Sequence, residues 1–188
     1  AFATSARSVF LQKTNAPGLA LDYGTFTLSS TAGGTAQWFS VTDSRASDGT
    51  AYQSPVLSSG QTATLTLTVS GPTTVNAPWQ IVGGSTDLVS YAVDGVTPAD
   101  QTSGLLTVGE TYQILTYVSG DDFTNVGASS NATDTVFTAT GTTPTTWTNG
   151  STLSAAKLRG FQPSYKSKLI TVASGTHTLS WTYAHNTT

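Results

Sequence analysis

Cysteine is absent from this chain of 188 residues, which removes disulfides, thiolate metal sites and thiol catalysis together and leaves the redox compartment open. Charge is almost as scarce. Asp, Glu, Lys and Arg make up 9% of the residues, and the formal net charge is −3. A surface this poor in cations has no means of gripping a phosphate backbone, so nucleic acid is not an expected partner. No apolar run approaches the roughly 20 residues that span a bilayer, and no charged segment followed by an apolar one opens the sequence. The expectation is a soluble protein with no membrane partner, any secretion signal having been removed or never present. Glu110 is the only glutamate. Glycoside hydrolysis needs two carboxylates flanking a sugar bond, and no acid pair here has the apolar setting that raises one pKa. The Gly-x-Ser-x-Gly elbow of serine hydrolases and a glycine-rich phosphate loop are missing as well. The sequence points away from an enzyme.

What the chain does contain is Thr and Ser, roughly a third of all residues, with 18 Gly and 10% aromatics. That mixture is polar without being charged. Thr, Val, Tyr, Phe and Trp suit pleated, half-buried strands, and the low charge argues against disorder. The length suits one sizeable core, or one domain with a large insertion, rather than two independent domains. Period-two alternation marks the strands. In Ala63-Thr-Leu-Thr-Leu-Thr-Val69 the apolar residues fall on one face and the threonines on the other. In Thr176-His-Thr-Leu-Ser-Trp-Thr-Tyr183, His177, Leu179, Trp181 and Tyr183 share a face. Shorter strands are predicted at 24–28, 88–93, 112–117, 135–139 and 168–172, and one helical turn at 153–158. Many short strands between Gly, Pro, Asn and Asp clusters predict an all-β, antiparallel fold of the sandwich or jelly-roll kind.

Two stretches are specific enough to carry a resemblance. Gly120-Asp-Asp-Phe-Thr-Asn-Val-Gly-Ala128, followed by Val136-Phe-Thr-Ala-Thr-Gly-Thr-Thr-Pro-Thr-Thr-Trp-Thr-Asn-Gly150, resembles a short β module of structural proteins of tailed bacteriophages, marine ones in particular. The second stretch comprises Tyr91-Ala-Val-Asp-Gly95 together with Gly175-Thr-His-Thr-Leu-Ser-Trp-Thr-Tyr183. It resembles concanavalin-like or MAM-like jelly-roll β-sandwiches, which occur as non-catalytic parts of bacterial surface and secreted proteins. Taken together they imply a jelly-roll β-sandwich over 20–104 and 156–188, a small β subdomain inserted at 105–155, and an N-terminal arm at 1–19. Loops tolerate such insertions because closure entropy grows slowly with length.

The resemblances imply a virion surface protein without enzymatic activity: a capsid decoration or cement protein, a head fibre, or a compact part of the tail-fibre apparatus. Its partners would be other virion proteins and further copies of itself, with adhesion to polysaccharide as a second role. The rival reading is a carbohydrate-binding module of a secreted bacterial enzyme or adhesin. Within this frame Trp147, flanked by threonines and by Asn149, is the candidate sugar platform, because an aromatic face can stack on a sugar ring while polar neighbours satisfy its hydroxyls. Asp121, Asp122 and Asn125 are the candidate oxygen ligands for calcium, although the spacing is not that of an EF-hand. The competing reading of these residues is that they fold back on backbone amides to close a turn. Phe2, Val9, Phe10 and Leu11, with Arg7 and Lys13, are the candidate anchor to a neighbouring subunit, since their apolar residues show no clean period. His177 is expected to be a packed, hydrogen-bonded core histidine, and His185, near the end of the chain, to meet solvent.

Overall fold

The computed structural model describes residues 8–12, 26–30, 39–42, 44, 50–82, 86–160, 162, 164–166 and 168–185. These residues form an almost entirely β, antiparallel structure, and no helix among them is long and apolar enough to cross a membrane. The chain divides into two compact units, Ala1–Thr97 with Arg159–Thr188, and Pro98–Leu158.

The first unit contains β1 (Ser8–Gln12), β2 (Phe26–Ser30), β3 (Phe39–Thr42), β4 (Thr50–Gln53), β5 (Thr62–Asn76), β6 (Trp79–Val82), β7 (Leu88–Val93) and β12 (Leu169–Ala184). One sheet has the order β3-β4-β1-β6, and the other carries the run β7-β12-β5-β2. Strands β5 and β12 pair along nearly their whole length, with Leu65 opposite Trp181 and Leu67 opposite Leu179. The alternation read from the sequence sets which side is dry. Ala63, Leu65, Leu67 and Val69 are buried, as are Leu179, Trp181 and Tyr183, while Thr68 and Thr178 on the other side are exposed. Each fully buried Leu or Val among them contributes about 1.5–3 kcal/mol. The two sheets meet where the Trp79 ring of β6 packs edge-on against Tyr91 of β7, centroids 6.2 Å apart. Lys168 joins this core with its ammonium 4.6 Å from the Tyr91 ring centre, a cation–π contact. The register of β12 against β5 shifts between Val172 and Gly175, a bulge that adds local twist.

The second unit is built on β8 (Thr111–Thr116), β9 (Val136–Thr138) and β10 (Thr152–Ser154), in the order β10-β8-β9. A single 3₁₀ turn spans Thr124–Val126. Its core gathers Leu106, Tyr112, Ile114, Phe123, Val126, Phe137, Trp147 and Leu153. The helical turn expected at 153–158 is not formed. Leu153 pairs with Ile114 and exchanges backbone hydrogen bonds with Gln101, and after a two-residue break the chain enters β11 (Lys157–Arg159). Pairing with residues distant in sequence outweighs the weak local preference for a helix there.

Candidate functional site

The residues singled out in the sequence converge on the loops of the second unit. At Gly120 the backbone is left-handed, φ 101°, and a Cβ there would lie 2.9 Å from the Asn149 side-chain nitrogen. Glycine is therefore required on two grounds. Asp121, only 2% exposed, accepts hydrogen bonds through Oδ1 from the backbone N–H of Thr148 at 2.8 Å and from the backbone and side-chain nitrogens of Asn149, each at 3.0 Å. Its Oδ2 accepts from the Ser151 N–H at 3.0 Å. One carboxylate thus closes the Thr148–Ser151 turn.

Asp122 performs the same task nearer in sequence. Its Oδ1 accepts from the Thr124 N–H and hydroxyl at 2.9 and 2.7 Å, and from Asn131 Nδ2 at 2.9 Å. Asn131 also accepts the Phe123 N–H at 2.9 Å, so the loop is held from both sides. Asn125 spans the gap to the next loop, donating to the Thr143 carbonyl and accepting from the Thr145 N–H, both at 2.9 Å.

Burial pushes the Asp121 carboxyl up, but the hydrogen bonds from Ser151, Asn149 and Thr148 outweigh it and leave Asp121 well below the usual carboxylate range. For Asp122 the hydrogen bonds from Asn131 and Thr124 lower the pKa to about 2. Both groups are anions whose charge is met by N–H and O–H donors of their own chain. As candidate calcium ligands, Asp121, Asp122 and Asn125 lie on one short segment with their side-chain oxygens turned to those donors. Among the described residues no three His, Asp or Glu side chains come together.

Trp147 is not the outward platform expected of it. The residue is 7% exposed, its ring packs edge-on against Phe123 with centroids 5.5 Å apart, and its indole N–H donates to the Ser151 carbonyl at 2.8 Å. The polar residues around it suggested a wet loop, but they turn outward or bond to Asp121, and the indole is left as the apolar cover of a small core. Asn149 is likewise a structural partner of Asp121.

The two histidines sit in the first unit. His177 Nδ1 lies 2.7 Å from Asp94 Oδ2, and Asp94 also accepts the Thr178 N–H at 2.8 Å. Donation from Nδ1–H to the Asp94 carboxylate raises the His177 pKa. His185, expected in solvent, is instead 6% exposed and bonds Asp87, itself fully buried, at 2.5 Å. The backbone explains the difference, because the His185 N–H and C=O pair with Gln61 and Gly60 and draw the residue inward.

Of the candidate anchor, Phe2, Arg7 and Lys13 lie outside the described residues. Val9, Phe10 and Leu11 have a place inside the first sheet rather than outside it. They form β1, which pairs with β4 on one side and β6 on the other. The chemistry this arrangement offers is cohesion: each candidate group in the second unit is spent on holding loops in place. No family model, no curated protein and no solved structure matches this chain.

Proposed function

We propose that this chain is a non-enzymatic structural protein of the surface of a tailed-phage particle, present in many copies, either as capsid decoration or head fibre or as a compact part of the tail-fibre apparatus. The observation that carries the proposal is the use made of the Gly120–Ala128 stretch. Asp121, Asp122 and Asn125 would be the natural place for catalysis or a cation, and they act as hydrogen-bond acceptors and donors that fasten neighbouring turns. Residues that give the stretch its likeness to phage structural modules are therefore the residues that make the loop stiff. A stiff, weakly charged β unit suits display on a particle exposed to changing salt, since few of its interactions depend on surface ion pairs.

Reconstitution tests this reading. Purified chain added to particles stripped of their surface proteins should attach saturably, with a copy number set by the symmetry of the particle. Absence of saturable attachment to either capsids or tails would refute it, as would turnover of a polysaccharide by the chain alone.

A further inference from the structure

The outward side of the second sheet of the first unit is a grid of hydroxyl groups. Register places Thr64 opposite Thr182, Thr66 opposite Ser180, and Thr68 opposite Thr178. The Oγ1 atoms of Thr64 and Thr182 are 2.9 Å apart and share a hydrogen bond. The pattern extends sideways to Ser90 of β7, in register with Thr182, while Ala92 stands opposite Ser180. None of these positions carries a charged or aromatic residue, and Asp94, which accepts the Thr178 N–H at the margin of the grid, is paired with His177. Neighbouring strands lie about 4.8 Å apart and alternate residues about 6.7 Å apart, so the hydroxyls repeat in two directions.

We propose that this face binds an uncharged polysaccharide, weakly per copy. A neutral surface gives an ionic ligand no attraction to offset the loss of its hydration. A hydroxyl both donates and accepts, so it can match ligand hydroxyls in either sense. The face is a repeating sheet surface, and small molecules favour concave sites that enclose them, whereas a polymer can touch many positions at once. Its area is on the order of 400 Å² from strand lengths and spacing, half of the roughly 800 Å² that each partner contributes to a standard protein interface. A second copy of the chain is therefore a poorer occupant than a polysaccharide. The inference rests on the many-copy display proposed above, because avidity from linked sites raises weak binding by about 10²–10⁴-fold.

The test uses the full chain attached in many copies to fluorescent beads, with agarose, microcrystalline cellulose and cross-linked dextran as neutral matrices and alginate as the charged one. Retention is expected on at least one neutral matrix and not on alginate. It should fall at least tenfold for Thr66→Glu, and likewise for the combined Thr66→Val, Ser180→Ala, Thr182→Val variant, in which the side chains lose only their hydroxyls. Thr102→Glu, at an exposed position of the second unit, should leave retention unchanged. No retention on any neutral matrix overturns the proposal, and so does equal retention of the hydroxyl-free variant or stronger retention on alginate. Self-association of the free chain that Thr66→Glu abolishes would assign the face to a second copy instead. Loss of polysaccharide retention with particle attachment intact removes this site alone, whereas loss of particle attachment with retention intact removes the structural reading alone.

Discussion

The Asp121 carboxylate and the Ser151 backbone N–H, 30 positions apart in the chain, meet at 3.0 Å, and this contact ties the loop after Gly120 to the turn that precedes β10. Asp121 reaches four donors across that distance. Asp121→Ala leaves buried N–H groups without partners, at a cost of about 1–3 kcal/mol for an unsatisfied donor. We expect the second unit to lose roughly 2–4 kcal/mol in a denaturant titration. Asp121→Asn retains part of this, since one amide oxygen remains. A change below measurement error for Asp121→Ala would show that the turn at Thr148–Ser151 holds without the carboxylate.

Acid should loosen the second unit, which keeps its full carboxylate stabilisation at neutral pH. The Asp122 pKa is lowered to about 2 and that of Asp121 is lowered also, against about 3.9 in an unfolded chain. Groups depressed in this way stabilise the fold fully above the unfolded value, and the contribution is lost as pH falls through the folded one. Amide exchange of Thr148, Asn149 and Ser151 should therefore accelerate as pH falls from about 4 toward 2, beyond the intrinsic rate. Unchanged protection over that interval would contradict the assigned role of the carboxylates.

Gly127 offers a test of loop stiffness that involves no charge. Its φ is 108°, and a Cβ would lie 2.6 Å from the Thr138 carbonyl oxygen, a backbone atom that cannot swing away. Gly127→Ala should destabilise by about 1–3 kcal/mol from backbone strain, with the contact adding to it. Circular dichroism melts of the two proteins read the difference.

Elements whose own residues alternate were legible before the structure. In β5 and β12 the buried and open faces follow from local spacing, and Leu88–Val93 forms the strand expected at 88–93. Legibility fails where partners are distant. Val9, Phe10 and Leu11 are a continuous apolar run, and only β4 and β6 on either side give them a strand identity. The local spacing around Leu153 suggests a helical turn because its pairing with Gln101 and Ile114 is invisible locally. At the candidate site, Thr and Asn flanking Trp147 look like a wet loop until Asp121 gathers them. The module read at 105–155 differs from the compact unit, 98–158, by the approach segment that bridges Gln101 to Leu153. The hydroxyl face shows the opposite case. The threonines were visible, but their alignment across strands depends on a register that no single strand contains.

Trp147 and Trp181 should prove comparably costly to remove. Both are buried, Trp147 at 7% and Trp181 at 0% exposure, and truncating a large buried aromatic to Ala costs about 3–5 kcal/mol. The two losses should fall in different places, with Trp147→Ala exposing amides of the second unit and Trp181→Ala those of β5, β7 and β12. Hydrogen exchange mapped by peptide separates them. A mild effect at Trp147 would restore it as a surface residue and contradict the burial described above.

The Asp94–His177 pair gives the first unit a pH dependence opposite in sign to that of the acidic loop. Asp94, at a left-handed φ of 51° after β7, holds the imidazole at 2.7 Å and raises its pKa. A group raised in the folded state stabilises fully below its unfolded pKa of about 6.5 and loses that contribution as pH rises through the folded value. The lowered pKa of Asp94, held down by the Thr178 N–H and then by His177, confines the other limb to acid, below about 3.9. The pair should therefore contribute most between about 4 and 6.5. His177 lies just past the bulge of β12, and backbone groups of Ala173 and Ser174 in that bulge also favour its protonated form, so protonation there should quieten the bulge. NMR titration is expected to give His177 a pKa above the ordinary histidine value, with amides near Gly175 exchanging faster on the alkaline side. In His177→Gln that alkaline limb should disappear while the acid limb of the second unit persists. A His177 pKa at or below about 6.5 would mean that Asp94 does not hold the ring in solution as it does in the structure.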